Sequence, residues 1–175
     1  MLSFRNKLTI NDPEAIRTIS ASTGFFDATD VEISVELAHD ALEGQKHDND
    51  NLEEPSFLIA EDNGKTVGYA CFGKIQDSNS AYELFLISTL SSYRGHGIGR
   101  KMIERLLKTV RELGAKKLFV KTEGTEQYAP TRKFYESCGF RLEAVLKEYY
   151  DDRDDCYIYS YKFYEDDVAN SIPAE

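Results

Sequence analysis

A short glycine-rich loop near the middle of the chain constrains the fold more than any other stretch. The loop occupies residues 94–100, has glycine at 95, 97 and 99, and follows an apolar run at residues 84–90. After the loop, apolar side chains recur with the spacing of one helix face: Met102, Ile103, Leu106, Leu107, Val110 and Leu113. The order of elements here is therefore strand, glycine loop, helix.

This order of elements suits the binding of an anion. Glycines at alternate positions let the backbone turn tightly, and the first turn of a helix leaves N–H donors free and carries a partial positive charge. Phosphate is the usual ligand of such a place. A dinucleotide fingerprint that starts at Gly95 would require glycine where Arg100 stands, and a P-loop would require Gly-Lys-Ser/Thr. The remaining interpretations are a phosphate cradle of another kind and a turn without a ligand.

The net charge of the chain argues against some classes of binding partner. Its 175 residues suggest one domain, which we expect at residues 1–164, followed by an acidic tail at 165–175. With 31 acidic and 21 basic residues, the net charge is −10. Nucleic acid or an anionic membrane would demand a basic face, and a membrane span would demand a longer apolar run. The acidic surface instead suits a cationic partner.

The cysteines and histidines argue against a metal site. The three cysteines, Cys71, Cys138 and Cys156, have no CxxC spacing, and the three histidines show no ligand spacing to them or to each other. We identify no secretory signal, which favours reduced thiols in the cytoplasm. Cys71 and Cys156 are expected in the core.

Periodicity and turn residues predict a mixed chain of strands and helices. Strands are expected at 3–10, 56–60, 67–72, 81–89, 117–121 and 157–163, and helices at 13–22, 30–43, from the glycine loop to Gly114, and 130–137. Asn63-Gly64 predicts a hairpin, and the strand at 117–121 must run parallel to its predecessor because a helix crosses between them. Residues 45–55 and the acidic run 148–155 are expected to be loops.

Two motifs and this order of elements resemble the GNAT (Gcn5-related N-acetyltransferase) superfamily over nearly the whole chain. The loop matches Arg-x-x-Gly-x-Gly, and residues 134–140 match Phe-Tyr-x-x-x-Gly-Phe. The Tyr149-Tyr150 pair before an acidic run is similar to one group of prokaryotic members. The resemblance implies an α/β (α+β) fold, with a mixed, mostly antiparallel central sheet that is splayed at the glycine-loop strand and flanked by helices.

The resemblance also implies an activity. It points to transfer of an acetyl group from acetyl-CoA to a primary amine of a small molecule or peptide, directly within a ternary complex and without a metal. The acceptor is expected to be cationic, and a homodimer is left open. The competing interpretation is a catalytically silent sensor or interaction module of the same fold that only binds acetyl-CoA.

The family motif supplies the expected cofactor contacts. The end of the strand before the loop would offer backbone groups to the pantetheine arm, and the loop would hold the pyrophosphate. Many members have asparagine where this chain has tyrosine at 128, so an asparagine contact is not implied. The expected cofactor-binding residues are Ile87, Ser88, Thr89, Arg94, Gly95, His96, Gly97, Ile98, Gly99, Arg100 and Tyr128.

Three residues are candidates for the chemical steps. A lysine-like amine, with a pKa of about 10.4, is almost fully protonated at pH 7, so a base or a water chain must help. Glu83 is the preferred base because histone-acetylating relatives carry their catalytic glutamate in this strand, although an exposed strand acid is the competing interpretation. Glu123 is the alternate. The family motif assigns to Tyr135 the donation of a proton to the leaving thiolate. The competing interpretation is that Tyr135 is a packed aromatic residue of the core.

Overall fold

The computed structural model describes residues 1–46 and 55–165, in which one sheet separates two pairs of helices. The strands are β1 (Leu2–Arg5), β2 (Ser56–Asp62), β3 (Lys65–Lys74), β4 (Ala81–Thr89), β5 (Lys117–Glu123), β6 (Arg141–Asp151) and β7 (Asp154–Lys162). The α-helices are α1 (Asp12–Ser22), α2 (Ala28–Lys46), α3 (Ile98–Glu112) and α4 (Ala129–Ser137), with 3-10 turns at Ser91–Tyr93 and Glu126–Tyr128. Most of the loop expected at 45–55, and the tail from residue 166, lie outside the described residues.

The sheet is mixed and mostly antiparallel, as expected. Its strand order is β1-β2-β3-β4-β5-β7-β6, and β4 with β5 forms the parallel pair among the described strands. That ladder runs from Ala81–Lys117 to Leu84–Val120 and then stops. Beyond it, β4 pairs only with β3, and β5 pairs only with β7. The two strands are therefore splayed at their carboxyl ends, which confirms the expected splay.

Alternation along the central strands divides the core into two layers. In β2, Leu58 and Ala60 pack on the α3 side of the sheet, whereas Phe57 and Ile59 pack on the side of α1 and α2. All four are buried, because successive strand residues point to opposite faces and both faces are covered. The apolar face of α3 fills the first layer through Met102, Ile103, Leu106 and Val110.

The local turn signals are confirmed. Asn63 and Gly64 adopt positive φ values of 50° and 81°, which suit a tight hairpin between β2 and β3. Pro13 stands in the first turn of α1, where a missing N–H costs nothing. The parallel direction of β5 also follows as predicted from the crossing helix.

The prediction of a loop at 148–155 is wrong, and β6 was missed altogether. Residues 141–151 form β6, which pairs with β7 at the edge of the sheet, and β7 begins at Asp154 rather than at 157. Only Ala144 and Val145 of β6 are even half-buried. The available signal was the recurrence of Leu142, Ala144 and Leu146 at every second position, which belongs to an edge strand whose faces lie largely in water.

Several element boundaries also differ from expectation. β1 ends at Arg5, well before 10, and β5 runs through Glu123, which is therefore in the strand and not past its end. α2 continues through Gly44 to Lys46. This last turn has a tertiary reason: the Gln45 side chain accepts a hydrogen bond from the Leu8 N–H at 2.8 Å and donates to its carbonyl at 3.0 Å.

A buried carboxylate ties the start of the chain to the sheet. The side chain of Asp12 is 1% exposed and accepts two hydrogen bonds from the Arg5 guanidinium at 2.7 and 2.8 Å. The hydroxyls of Thr9 and Thr66 donate to it as well. Burial alone would raise the pKa of Asp12, but the hydrogen bonds from Arg5 and Thr9 outweigh burial and hold it below its usual range.

We expect Asp12→Asn to lower the free energy of unfolding by about 3 kcal/mol at pH 7, because it leaves Arg5 without its anionic partner. Since folding depresses the pKa of Asp12, its stabilisation is complete above the unfolded value of about 3.9 and is lost as pH falls further. Urea unfolding of parent and variant should therefore converge in acid. The exposed Asp40→Asn is the control, and equal midpoints for Asp12→Asn and parent at pH 7 would contradict the assignment.

Candidate active site

A cavity of about 900 Å³ opens where β4 and β5 separate. The ends of both strands line it, together with the connection between α1 and α2, the glycine loop, and the first turns of α3 and α4. Cavities of this size hold small-molecule or cofactor ligands, with a largely apolar wall and a few polar groups. The geometry of the splay thus creates the site.

The glycine loop forms one end of the cavity. Gly95 and Gly97 have φ values of 77° and 75°, a region that L side chains rarely adopt, and Gly97 is the N-cap of α3. Both glycines line the cavity, as do Ile98, Gly99 and Arg100. The helix begins within the cavity wall, so its free first-turn amides and positive dipole end lie beside the space where an anion would bind.

The loop's two arginines anchor it to neighbouring elements. Arg94 donates to the Thr23 carbonyl at 2.8 Å, and Arg100 donates to the carbonyl and hydroxyl oxygens of Ser137 at 3.1 and 2.9 Å. Both arginines line the cavity. His96, in contrast, is exposed and lies outside the cavity lining, with its Nδ1 3.2 Å from the Tyr93 carbonyl oxygen.

The end of β4 forms one long wall. Ile87, Ser88 and Thr89 line the cavity and pair on one side with β3. On the other side the ladder with β5 has already ended at Leu84. The backbone there faces the splay, where an extended ligand arm could pair with it as an added strand would.

Tyr135 is at once a core residue and a cavity residue. It is 4% exposed and packs its ring against those of Phe134, Phe140 and Tyr159, at centroid distances of 5.5, 5.7 and 6.4 Å. It also lines the cavity. Burial raises the pKa of its phenol, so the group stays protonated at neutral pH and can donate a hydrogen bond. The two interpretations of Tyr135 therefore do not exclude each other.

Glu123 lies at the other end of the cavity, beyond the splay. Burial, followed by the neighbouring Asp154 and Asp30, raises the pKa of its carboxyl. The Arg132 guanidinium donates to the backbone carbonyls of Glu123 and Thr125 at 2.7 and 2.9 Å and so fixes the end of β5. A carboxylate in a cavity whose pKa is raised is a stronger base than an exposed one, which makes Glu123 a candidate proton acceptor.

Tyr128 lies between Glu123 and residues 23–27, which connect α1 to α2. Its hydroxyl donates to the Phe25 carbonyl at 3.3 Å, and its ring meets the Phe25 ring edge-on at 5.2 Å. Burial and the adjoining carboxylates, Glu123 first, raise the pKa of Tyr128 to about 12. Tyr128 thus lines the cavity near Glu123 as a neutral phenol.

Glu83 lies outside the cavity lining and is paired with a lysine. Its carboxylate lies 3.3 Å from the Lys121 ammonium, and Lys121 lines the cavity whereas Glu83 does not. Among the residues expected from the sequence, the structure brings Tyr135, Glu123, Tyr128, the end of β4 and most of the glycine loop to one cavity. It leaves Glu83 and His96 outside the lining.

The resemblance places the acceptor side at the first two helices and at the segment before the last strand, but the individual residues of this far wall were not identified from the sequence. Phe25, Phe26, Asp30, Ile33, Phe85 and Tyr150 all line the cavity. One sequence signal for this wall was available. Phe25 and Phe26 follow Gly24 directly, in a connection where no core position is expected, so core packing does not explain their apolar side chains. Asp30 could not be distinguished from an ordinary acid in the first turn of a helix.

Metal-binding clusters and membrane-spanning helices are both absent from residues 1–46 and 55–165. No group of three or more histidine, cysteine or acidic side chains there is arranged to hold a metal ion. None of the helices in that part of the chain has the length and hydropathy to cross a membrane. The cysteines are free, and Cys71 and Cys156 are buried as expected.

Comparison with known proteins agrees with this geometry. The model of the acetyltransferase (GNAT) family matches residues 24–140. An N-alpha-acetyltransferase of Sulfurisphaera tokodaii is 26% identical over 115 residues, which are 60% of this chain and 68% of the relative.

Solved structures give the same result. A Desulfovibrio desulfuricans protein of the GNAT family superposes with a TM-score of 0.86 at 32% identity, covering 93% of this chain and 99% of the other. The ribosomal-protein-S18-alanine N-acetyltransferase of Escherichia coli has the same fold, with a TM-score of 0.69 at 21% identity over 93% of this chain and 94% of its own. The chain belongs to the GNAT family of acetyltransferases.

Proposed function

We propose that the protein is an N-acetyltransferase that moves an acetyl group from acetyl-CoA to a primary amine of a small molecule or peptide. The observation that carries the proposal is a single cavity whose wall joins the glycine loop, the free edge of β4, Tyr135 and Glu123. A donor and an acceptor can meet there, with a proton donor and a proton acceptor in the same wall. Bound together, they form the ternary complex that direct transfer requires.

The donor half of the cavity suits coenzyme A. The pyrophosphate would bind at the start of α3, where helix amides and the arginines of the loop supply donors and positive charge. The pantetheine arm would follow Ile87 to Thr89, because its amides can pair with backbone groups that β5 leaves free. The thioester would then reach the middle of the cavity, where Tyr135 lies.

The transfer to an ammonium needs three proton movements. Glu123, directly or through water, first accepts one proton from the ammonium, because only the neutral nitrogen has a lone pair. That nitrogen then forms a bond to the acetyl carbonyl carbon and releases a second proton to water. The carbon–sulfur bond then breaks, and Tyr135 gives its phenolic proton or a hydrogen bond to the departing thiolate. We favour Glu123 over Glu83 because Glu123 lines the cavity and has a raised pKa, whereas Glu83 is paired with Lys121.

The cofactor assignment can be tested at the N-cap of α3. Gly97→Glu should weaken acetyl-CoA binding by well over about tenfold, because it places a negative charge where the pyrophosphate would bind. Gly114→Glu is a matched control: it also has positive φ, 89° against 75°, and an added Cβ meets no atom within 4 Å at either position. Calorimetry should show the loss in the first variant only. Unchanged affinity in a folded Gly97→Glu protein would remove the assignment.

Turnover separates the enzyme from a silent acetyl-CoA sensor. We expect thiol release from acetyl-CoA with at least one acceptor in a panel of amines, amino acids, polyamines and peptides. Tyr135→Phe should lower that rate by about 10²-fold or more with little change in acetyl-CoA affinity, as loss of a general acid usually does. Binding without release across the panel would favour the sensor, and full activity in Tyr135→Phe would leave Tyr135 as packing.

The two candidate bases can be distinguished by pH–rate profiles. A base must be ionised to accept a proton, so the parent rate should rise with pH through the raised pKa of Glu123, whose charged neighbours are Asp30 and Asp154. Glu123→Gln should move this rise to higher pH, toward the pKa of the amine itself, and lower the rate at pH 7 by about 10²-fold or more. Glu83→Gln should leave the profile in place. The reverse pattern would make Glu83 the base, and two unmoved profiles would assign the step to water.

A further inference from the structure

The end of the cavity away from the glycine loop has an unusual apolar rim. Ile33, Phe85 and Tyr150 are 46%, 42% and 43% exposed, and all three line the cavity. They come from α2, β4 and β6, so distant parts of the chain converge on one place. Exposed apolar side chains that converge around a cavity mark a surface that a ligand covers.

The same end of the cavity carries negative charge. Asp30 and Glu123 line it, and Asp154 lies beside Glu123 with one buried oxygen that has no hydrogen-bond partner within the described residues. Lys121 is a cation in this wall, and Glu83 pairs with it at 3.3 Å. Arg94 donates to the Thr23 carbonyl, and its guanidinium lies over the Phe25 ring at 5.7 Å from the centroid. Two carboxylates, Asp30 and Glu123, are therefore available to an incoming cation at this end of the cavity.

Asp30 has a local role that does not require its charge. Its Oδ2 accepts a hydrogen bond from the Asp27 N–H at 3.2 Å, and Asp27 accepts one from the Asp30 N–H at 2.9 Å. This reciprocal cap fixes the start of α2. Asparagine has a side-chain carbonyl that could serve the same cap. The negative charge of Asp30 also favours the start of α2, but the cap itself does not require it, so an asparagine at this position tests the charge that Asp30 presents to the cavity.

We propose that the acceptor is a cationic amine that bears an apolar or aromatic group and no carboxylate beside the amine, and that Asp30 is the residue that determines this specificity. The inference rests on the proposed function and names its acceptor class. The ammonium is drawn to Asp30 and Glu123, while the apolar group covers Ile33 and Phe85. A free amino acid carries a carboxylate next to its amine and is repelled by the same side chains.

The proposed acceptor class can be tested with amines that share one aromatic side group and differ in whether a carboxylate lies beside the amine. We expect kcat/KM for phenylethylamine, phenylalanine amide or a phenylalanine-initiated peptide amide to exceed that for phenylalanine by at least about tenfold. Asp30→Asn, which keeps the cap, should raise KM for the uncarboxylated acceptors severalfold and lower it for phenylalanine, so that the preference narrows. Asp40→Asn removes the same charge from an exposed position of the same helix and should leave the preference unchanged.

The contribution of the apolar rim to acceptor binding can be tested separately. Ile33→Ser should raise KM for phenylalanine amide severalfold more than KM for glycinamide, which has no side group to cover the rim. Leu113→Ser is the control, because Leu113 is 51% exposed and lies outside the cavity lining. An equal effect of Ile33→Ser on both amides would overturn the apolar part of the proposal.

The outcomes separate this inference from the function on which it rests. Thiol release with phenylalanine equal to that with its amide would overturn the acceptor class while the acetyltransferase stands. No release with any acceptor would overturn the proposed function and this inference with it. Release with the peptide alone would identify a polypeptide N-terminus as the source of the amine, and release with phenylethylamine alone a small amine. Either of these supports the proposal.

Discussion

The loss of pairing between β4 and β5 beyond Leu84 and Val120 is the constraint on which the rest of the site depends. Beyond that point, each strand keeps the N–H and C=O groups of its outer edge paired in a ladder, while the groups that face the splay are left for water or a ligand. β3 provides this ladder for β4, and the β6–β7 hairpin provides it for β5. The missed hairpin is therefore part of what permits the cavity.

Much of the fold could be predicted because its causes are local. The hairpin at Asn63-Gly64 needs two residues that tolerate positive φ, and the strand–loop–helix order around Gly97 needs a cap without a Cβ. The central strands are buried on both faces, and α3 has a continuous apolar stripe, so their composition identifies them. In each case a few adjacent residues carry the whole signal.

The remainder depends on contacts between distant residues. β6 has apolar residues in alternation at Leu142, Ala144 and Leu146, but the acidic run at 148–155 was interpreted as a loop, and only the pairing with β7 makes the two segments one hairpin. Glu83 and Glu123 both looked suitable as a base, because a sequence does not show where a parallel ladder ends. The ladder ends between them, and this places Glu123 in the cavity and leaves Glu83 against Lys121. The far wall, from Phe25 to Tyr150, is likewise assembled only in three dimensions.

The two halves of the cavity are lined by different kinds of chemical group. Around the glycine loop and the end of β4, the wall offers mainly backbone groups, whose positions depend on the glycines and on the ladder with β3. Around Asp30, Ile33 and Phe85, it offers side chains that are partly or largely exposed and that the core does not require. Evolution can therefore alter the second half by single replacements while the first stays constant. A scaffold of this kind can keep one donor and diversify its acceptors.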